Sequence, residues 1–411
     1  MTTERRIFSS CVFQRKTQIE VAQKIGISQA QVSRLEKGAP GKNKKALQQK
    51  RVNLRRLTRF SFFALLQFVF FVDKKIALYY KIIGWIGEKT FKAGEKMSNI
   101  RIFVSHRIDI DSETVDTPVY FPVRCGAVYD EESNSEIQGD DTGDNISKLR
   151  MSFCEFTVQY WAWKNVDADY YGLCHYRRYL SFSDKRYKNT AFNMVRELRL
   201  TAHEKKKYHL DDTKKINIVV QKYDMIIPEL AKASEMSYNR AEVKTLREMW
   251  ESYNGVYFEQ GIIDKMFSLI KEYSPEYYNS ACEYFSGKYH RAFNCYIMKK
   301  ELFVRMCEFQ FPIMNRIMEI TDCKTYERAP GYIGEILNGI FIHHMLTVEN
   351  RSAKETQLVF FVNTEKINSA KEYYKYRIHS VADKAVRSVA DKIFPMYSLR
   401  REKVKKLLRL K

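Results

Sequence analysis

Apolar and polar residues along the middle of the chain form a pattern that predicts strands and helices in alternation. Residues 100–105 are a short apolar run typical of a buried strand, and residues 149–163 repeat apolar side chains at helical spacing. Two more strand-like runs follow at 169–176 and 223–227. The remaining predicted elements are helices at about 239–253, 259–273 and 331–346, a strand at 292–298 that leads into a helix from residue 299, and a last strand at 357–361. This order predicts an α/β fold, with a mainly parallel sheet and helices on both faces.

A different pattern occupies the N-terminal region. Residues 17–37, TQIEVAQKIGISQAQVSRLEK, have the spacing of helix, turn and helix, with Gly26 at the turn and Ser28 as a cap for the second helix. With the preceding RRIFSSCVFQRK they resemble the C-terminal promoter-recognition region of sporulation-type sigma factors, which predicts a small all-α helix-turn-helix at 1–39. The resemblance implies that the side chains facing a DNA major groove are Gln29, Gln31, Ser33 and Arg34. The alternative is a helical hairpin without DNA affinity.

Residues 40–96 have the composition of a basic linker that contains one short apolar segment. FSFFALLQFVFFV, at 60–72, is shorter than the roughly 20 residues that a membrane-spanning helix needs. It is either an interfacial or re-entrant anchor or a segment from a non-native reading frame. The Gly-Glu pair in AGEKM (93–97) can be encoded by a ribosome-binding sequence just before the Met97 codon. We therefore expect the native protein to start at Met97, with DNA as a partner only if residues 1–39 are native.

Charge is distributed unevenly along the chain. The formal net charge is +21, and most of the excess lies in residues 1–96 and 363–411, which leaves the middle close to neutral. A neutral body argues against a nucleic-acid groove across the main domain, while basic ends suit nucleic acid or an anionic membrane. Residues 363–411 mix basic and apolar positions, as in an amphipathic helix on the inner membrane surface; the alternative is a solvated, frayed helix. The eight cysteines lack metal-binding spacing, which indicates a reducing compartment.

The sequence GLCHYRRYL, at 172–180, places a histidine and two arginines at the end of a predicted strand, where open α/β sheets bind ligands. Side chains alternate along a strand, so His175 and Arg177 are expected on one face and Arg178 on the other. Arginine binds phosphate oxygens through two nitrogens, and histidine donates a hydrogen bond or binds a metal. The cluster therefore suits a diphosphate. The alternative is an arginine paired with a carboxylate such as Asp184, with His175 bonded to the backbone.

Six segments of the middle region resemble one family. They are DDTGDNIS (140–147), FCEFTVQYWAWKN (153–165), DADYYGLCHYRRYL (167–180), YDMIIPE (223–229), RAFNCYIMKKELF (291–303) and GYIGEILNGIFI (331–342). From about residue 99 to 361 the chain looks like the domain-of-unknown-function family found in capsular and exopolysaccharide gene clusters, which is regarded as glycosyltransferase-like. The resemblance implies a glycosyltransferase A-like domain at 97–362, which transfers a sugar from a nucleotide-sugar donor to a glycan or lipid-linked acceptor. The stretch at 251–266 departs from the family pattern, which leaves acceptor contacts near it open.

A transferase of this kind must neutralise the diphosphate that leaves, usually with a divalent cation held by a D-x-D motif after a strand. Asp167 and Asp169 spell D-x-D but precede their strand, and Asp109 and Asp111 are a weaker pair. The GLCHYRR segment occupies the usual position of the metal motif, so its histidine and first arginine are expected to replace the cation in part. Mn²⁺ or Mg²⁺ is the cofactor that such a site would otherwise take.

Further residues have expected roles from the resemblance and from their positions at strand ends. The expected donor-site residues are Arg177, Arg178, Ser105, His106, Asp144 and Asn145; the expected sugar or acceptor contacts are Trp163 and Asn294; and the expected catalytic residues are Glu335, as general base, and His175. A helix cap or a core contact is the alternative role for Asp144, Asn145 and Trp163. These inferences favour a cytoplasmic enzyme, peripheral on the inner face of the plasma membrane. The alternative functions are a DNA-binding transcription regulator whose body senses a nucleotide-sugar, and a non-catalytic sugar-binding scaffold.

Overall fold

A computed structural model describes most of the chain from residue 98 to residue 393. The described ranges are 98–115, 117–130, 136–238, 241–291 and 293–393. The predicted helix-turn-helix at 1–39, the linker at 40–96 and the last part of the tail, residues 394–411, lie outside the described residues.

Twelve strands and eleven α-helices make up the described part of the chain. The strands are β1 (Ile100–His106), β2 (Tyr120–Arg124), β3 (Gln138–Gly139), β4 (Tyr170–His175), β5 (Arg178–Leu180), β6 (Met194–Arg199), β7 (Met225–Pro228), β8 (Ala231–Lys232), β9 (Tyr289–His290), β10 (Tyr296–Lys299), β11 (Ala353–Thr356) and β12 (Leu358–Asn363). The helices are α1 (Arg150–Phe153), α2 (Phe156–Asn165), α3 (Ala202–Lys207), α4 (Thr213–Val220), α5 (Ala233–Met236), α6 (Leu246–Glu251), α7 (Ile262–Tyr273), α8 (Tyr278–Ser286), α9 (Lys300–Ile320), α10 (Ala329–Thr347) and α11 (Ala370–Ile393).

The main sheet has the order β11-β7-β10-β4-β1-β2-β3, with β5, β6 and β12 attached beside it. The pairs β1–β2, β1–β4 and β7–β11 are parallel, and β10 is antiparallel to both of its neighbours. The predicted α/β fold with a mainly parallel sheet is therefore confirmed. Because Ser105 pairs with both Val123 and His175, the carboxyl ends of β1, β2 and β4 lie at one edge, which we call the strand-end edge.

Both faces of the sheet are covered by apolar side chains. One core forms between the sheet and helices α2 and α6–α10, and α10 is buried along most of its length. A side chain at Gly334 of α10 would collide with Phe156 and Met314, so glycine permits the close packing of α10 on α2 and α9. The second core lies between the other face and a layer that combines β5, β6 and β12 with α4 and the segment after α3. Helices thus lie on both faces of the sheet, and on the second face three short strands lie beside them.

Three element boundaries differ from the sequence prediction, each because of backbone geometry. The helix predicted over 149–163 is interrupted at Cys154, whose φ of 53° and ψ of −131° divide it into α1 and α2. The strand predicted over 292–298 begins only at Tyr296, because Phe293 and Asn294 have φ of 77° and 43°. The helix predicted over 239–253 begins at Leu246, where the Thr245 side chain caps it. None of the helices in the described part of the chain has the length and apolar content that crossing a membrane requires.

Candidate active site at the strand-end edge

The turn after β4 decides which arginine faces the strand-end edge. Residues 176 and 177 form a tight turn, and β5 then pairs with β4 so that His175 lies opposite Arg178. Residues directly opposite each other in an antiparallel pair point to the same face of the sheet. The predicted arrangement, with His175 and Arg177 on one face and Arg178 on the other, is therefore wrong, because alternation along a strand does not continue through a turn.

Arg177 is bound to the protein backbone. Its Nε donates to the carbonyl oxygen of Phe361 at 3.1 Å, and its Nη2 donates to that of Val362 at 2.9 Å. The guanidinium carbon lies 4.7 Å from the ring centre of Phe360. These contacts tie the turn to β12. They leave Arg177 poorly placed for the diphosphate contact that the sequence suggested.

Arg178 has no comparable partners. Its guanidinium carbon lies 4.6 Å from the ring centre of Phe293 and 5.4 Å from that of Phe360. Its Nε is buried without a hydrogen-bond partner, and no carboxylate in the described part of the chain lies within ion-pair distance of it. The suggested alternative partner, Asp184, instead pairs with Lys215. Arg178 is thus a cation held by aromatic rings, with no carboxylate among the described residues to neutralise it.

Two histidines at the strand-end edge are neutral at physiological pH. Burial, followed by the charges of Arg178 and Arg177, holds the pKa of His175 well below its usual range. Burial and the charge of Lys366 lower the pKa of His106 to about 4. The Nε2 atom of His106 is buried without a hydrogen-bond partner among the described residues. The histidines therefore offer hydrogen bonds, while positive charge at this edge comes from arginine.

Ser105 and His106 end β1, as predicted, and both are buried. Arg328, the residue before α10, also belongs to this edge, and its charge contributes to the low pKa of His175. Its Nε donates to Cys154 Sγ at 3.2 Å. Sequence reasoning missed Arg328, although it lies three residues before the GYIGEIL segment that carries the family resemblance.

A carboxylate, Glu335, lies on α10 in its second turn. Its Oε1 accepts the backbone N–H of Phe293 at 3.1 Å and lies 3.4 Å from Nε2 of His290. His290 is fully buried, and its Nδ1 is 2.9 Å from the hydroxyl of Tyr284. Burial raises the pKa of Glu335, but the hydrogen bond and charge of His290 and the Phe293 N–H outweigh it and hold the pKa below its usual value. Glu335 is therefore ionised at neutral pH.

The side chain of Asn294 links a second carboxylate, Glu155, to the helix α10 that carries Glu335. The Asn294 Nδ2 donates to Glu155 Oε1 at 2.9 Å, and its Oδ1 is 3.5 Å from Nδ2 of Asn338. Asn294 is buried, so its predicted role as a direct sugar contact is less apparent than its role as a bridge. Sequence reasoning also missed Glu155, which lies within the FCEFT segment immediately before α2.

The backbone is strained where these groups meet. Phe293, Asn294 and Cys154 all have positive φ. Bulky residues such as phenylalanine rarely adopt positive φ, and each residue that does so destabilises the folded state by about 1–3 kcal/mol. Residues held in this way concentrate at functional sites. The strain supports an assignment of function to the neighbouring side chains Arg178, Glu155 and Glu335.

Three of the predicted site residues lie away from this cluster. Asp144 accepts a hydrogen bond from the Tyr160 hydroxyl, and its backbone N–H donates to Asn165, so it packs on the second half of α2. Asn145 donates to the carbonyl oxygens of residues 141 and 143 within its own loop. Trp163 stacks on Phe311 of α9, with ring centres 5.7 Å apart. Their contacts match the structural alternatives, namely loop and core packing.

The aspartates considered as metal ligands are also separated. Asp167 and Asp169 precede β4, at the edge opposite to the strand ends. Asp109 is paired with Arg107, and Asp111 with a lysine. Among the residues that the structure describes, no group of three or more His, Cys, Asp or Glu side chains is placed to hold a metal ion. The expected Mn²⁺ or Mg²⁺ site thus has no assigned ligands and stays a prediction.

Comparison with known proteins gives the chain a family and a fold relative. A family model described as a domain of unknown function, DUF4422, matches residues 101–347. No curated protein matches the chain. The apo structure of the bifunctional glycosyltransferase WbbM is similar in fold, with a TM-score of 0.58 and 24% sequence identity. That match covers 66% of this chain and 47% of WbbM, so the chain corresponds to about half of that protein. The family match covers more than half of the chain, which therefore belongs to the DUF4422 family.

Proposed function

We propose that this protein is a glycosyltransferase, which transfers a sugar from a nucleotide-sugar donor to a glycan acceptor in capsular or exopolysaccharide synthesis. The observation that carries the proposal is Arg178, a cation without a carboxylate partner in the described structure, held beside His175 at the strand-end edge. Two carboxylates, Glu335 and Glu155, lie close to the same turn at residues 293–294. The likeness in fold to WbbM supports the same class of reaction.

The charges suit the chemistry of sugar transfer. A nucleoside diphosphate leaves with growing negative charge, and an arginine fork placed at the leaving oxygens stabilises that charge. Arg178 supplies the fork, and Arg328 adds a second positive charge nearby. His175 is neutral and donates or accepts a hydrogen bond without competing for the anion. An ionised carboxylate then accepts the proton of the acceptor hydroxyl.

Binding and hydrolysis assays test the proposed function without knowledge of the acceptor. The wild-type protein should bind at least one of UDP, GDP and dTDP in calorimetry, and should slowly hydrolyse a matching nucleotide-sugar with water as acceptor. Each assay is run with Mn²⁺, with Mg²⁺ and with EDTA, so that the requirement for a cation is measured separately. A protein that binds none of these nucleotides and hydrolyses none of their sugars would contradict the proposal.

The tail is proposed to bring the enzyme to an anionic membrane and so to a lipid-linked acceptor. One side of α11 is docked on the domain: Tyr376 and Ser380 are buried, and Arg196 and Glu197 of β6 pair with Asp383 and Lys384. The other side carries exposed apolar residues spaced three, four or eight apart, which places them on one face of the helix, namely Tyr374, Ile378, Val381, Val389 and Ile393. Residues 394–411, which follow, are strongly basic in sequence. An apolar stripe flanked by basic residues is typical of helices that lie in a membrane surface.

Substituting one residue of the stripe should weaken membrane binding. Val381 is 69% exposed, and Val381→Asp both removes apolar area and adds a negative charge, so binding to vesicles of anionic phospholipid should fall by roughly tenfold. The matched control is Val348→Asp, which makes the same change at a valine 56% exposed after α10. The measurement is vesicle co-sedimentation at low and high salt. Equal binding by the two variants would exclude α11 as the contact.

A further inference from the structure

The segment before α2 is built to present Glu155. Cys154 has φ 53° and ψ −131°, a conformation that non-glycine residues rarely adopt, and it separates α1 from α2. Its carbonyl oxygen accepts hydrogen bonds from Cys125 Sγ and the Thr157 backbone N–H, which fix the break. Glu155 follows directly, with its backbone at the start of α2 but without a side-chain cap. The interruption therefore turns the Glu155 side chain toward Asn294, which lies just before β10.

The two carboxylates near the turn at 293–294 are held in different ways. Glu335 accepts the Phe293 N–H and contacts the fully buried His290, which is itself bonded to Tyr284, so it is anchored in a polar network. Glu155 receives a single hydrogen bond, from Asn294, and in both carboxylates the second oxygen has no hydrogen bond to any described residue. The side chains of Glu155 and Glu335 are both partly exposed. Of the two, Glu155 is held by fewer contacts, so its carboxylate is the freer to turn toward an incoming hydroxyl.

We propose that Glu155 is the general base of the transfer, with Asn294 holding its carboxylate and Glu335 acting as a positioning residue. This inference rests on the proposed function. In the step, the acceptor hydroxyl gives its proton to the free Glu155 oxygen, and the hydroxyl oxygen bonds to the anomeric carbon of the sugar. The bond from that carbon to the diphosphate breaks, and its electron pair leaves on the phosphate oxygen beside Arg178. Substitution in one step inverts the anomeric configuration.

A purely structural role for Glu155 is the competing explanation. A glutamate at the start of a helix is stabilised by the helix dipole, and its loss typically costs about 0.3–1 kcal/mol. Such a role would change the melting temperature slightly and would leave the pH dependence of the rate unchanged. A general base instead affects the chemical step and contributes about 100- to 10,000-fold. Rate, pH profile and donor affinity therefore separate the two explanations.

The test is hydrolysis of the nucleotide-sugar that the wild type accepts, with water as the acceptor. Glu155→Gln should lower kcat by roughly 100-fold or more, leave Kd for the free nucleoside diphosphate unchanged, and abolish the fall in kcat on acidification that protonation of the base causes. Glu155→Asp should restore part of the rate. Glu335→Gln, the matched variant, should keep that fall on acidification, because the base is still present.

Other outcomes of these assays would contradict the role proposed for Glu155. If Glu155→Gln keeps a wild-type kcat, or loses rate while its acid profile is unchanged, Glu155 is not the base. If Glu335→Gln loses the acid profile in its place, the base is Glu335. A wild type that hydrolyses no nucleotide-sugar contradicts the proposed function itself, and the inference falls with it.

Discussion

Arg178→Lys should slow turnover of the nucleotide-sugar by roughly 100- to 1000-fold and weaken nucleoside diphosphate binding. Lysine keeps the charge but loses the planar fork that binds two phosphate oxygens together. It also loses the flat contact with Phe293 and Phe360, which holds the guanidinium in place. Initial rates at saturating donor, with calorimetric Kd for the diphosphate, measure the effect.

Arg177→Lys is the matched control, since it makes the same change one residue earlier. Two guanidinium hydrogen bonds to the carbonyl oxygens of Phe361 and Val362 would be lost or weakened. Each bond of this kind contributes about 0.5–1.5 kcal/mol, so the melting temperature should fall while donor affinity stays normal. If instead Arg177→Lys loses donor affinity and Arg178→Lys keeps it, the two roles are reversed and the diphosphate site must be assigned to Arg177.

The contrast between these arginines shows what the sequence pattern could and could not predict. The apolar run before His175 correctly predicted a strand, and the position of the cluster at its end follows from the parallel sheet. The face that each arginine occupies depends on where the strand stops. A turn of two residues after His175 places Arg178, not Arg177, on the same face as His175.

The missed residues have a different cause. Glu155 lies in a run whose helical periodicity hides the break at Cys154, because φ at a single residue leaves no mark in a hydrophobic pattern. Arg328 lies in a polar stretch before α10 and reaches the site only through the fold. Both are brought to the strand-end edge by contacts between segments more than 100 residues apart in sequence, namely Asn294 with Glu155 and Arg328 with Cys154.

The DDTGDNIS segment was singled out by the sequence, but for residues that face away from the cluster. Its buried carboxylate is Asp140, which was not assigned a role. Asp140 accepts the backbone N–H groups of Gly126 and Ala127, both at 2.9 Å, and the hydroxyls of Ser147 and Thr157 at 2.6 and 2.5 Å. The segment is therefore a structural connection between the end of β2, its own loop and the first turn of α2.

Asp140→Ala should consequently be among the most destabilising single changes in the domain. The Asp140 side chain is fully buried, and its loss removes the acceptor of four donors, of which the Thr157 hydroxyl still has the Cys154 carbonyl oxygen within reach. Each donor that stays buried without a partner costs about 1–3 kcal/mol. Partial relaxation and water entry reduce the sum, and we expect a loss of more than about 3 kcal/mol and a melting temperature lower by roughly 6 °C or more. Asp141→Ala is the control, because that neighbouring aspartate is exposed. Thermal unfolding followed by circular dichroism measures both variants.

Because Thr157 belongs to the turn that follows Glu155, an Asp140→Ala protein that still folds should also lose kcat more than donor affinity. A variant that melts with the wild type would show that these four donors find other partners, and that Asp140 does not hold α2 in place.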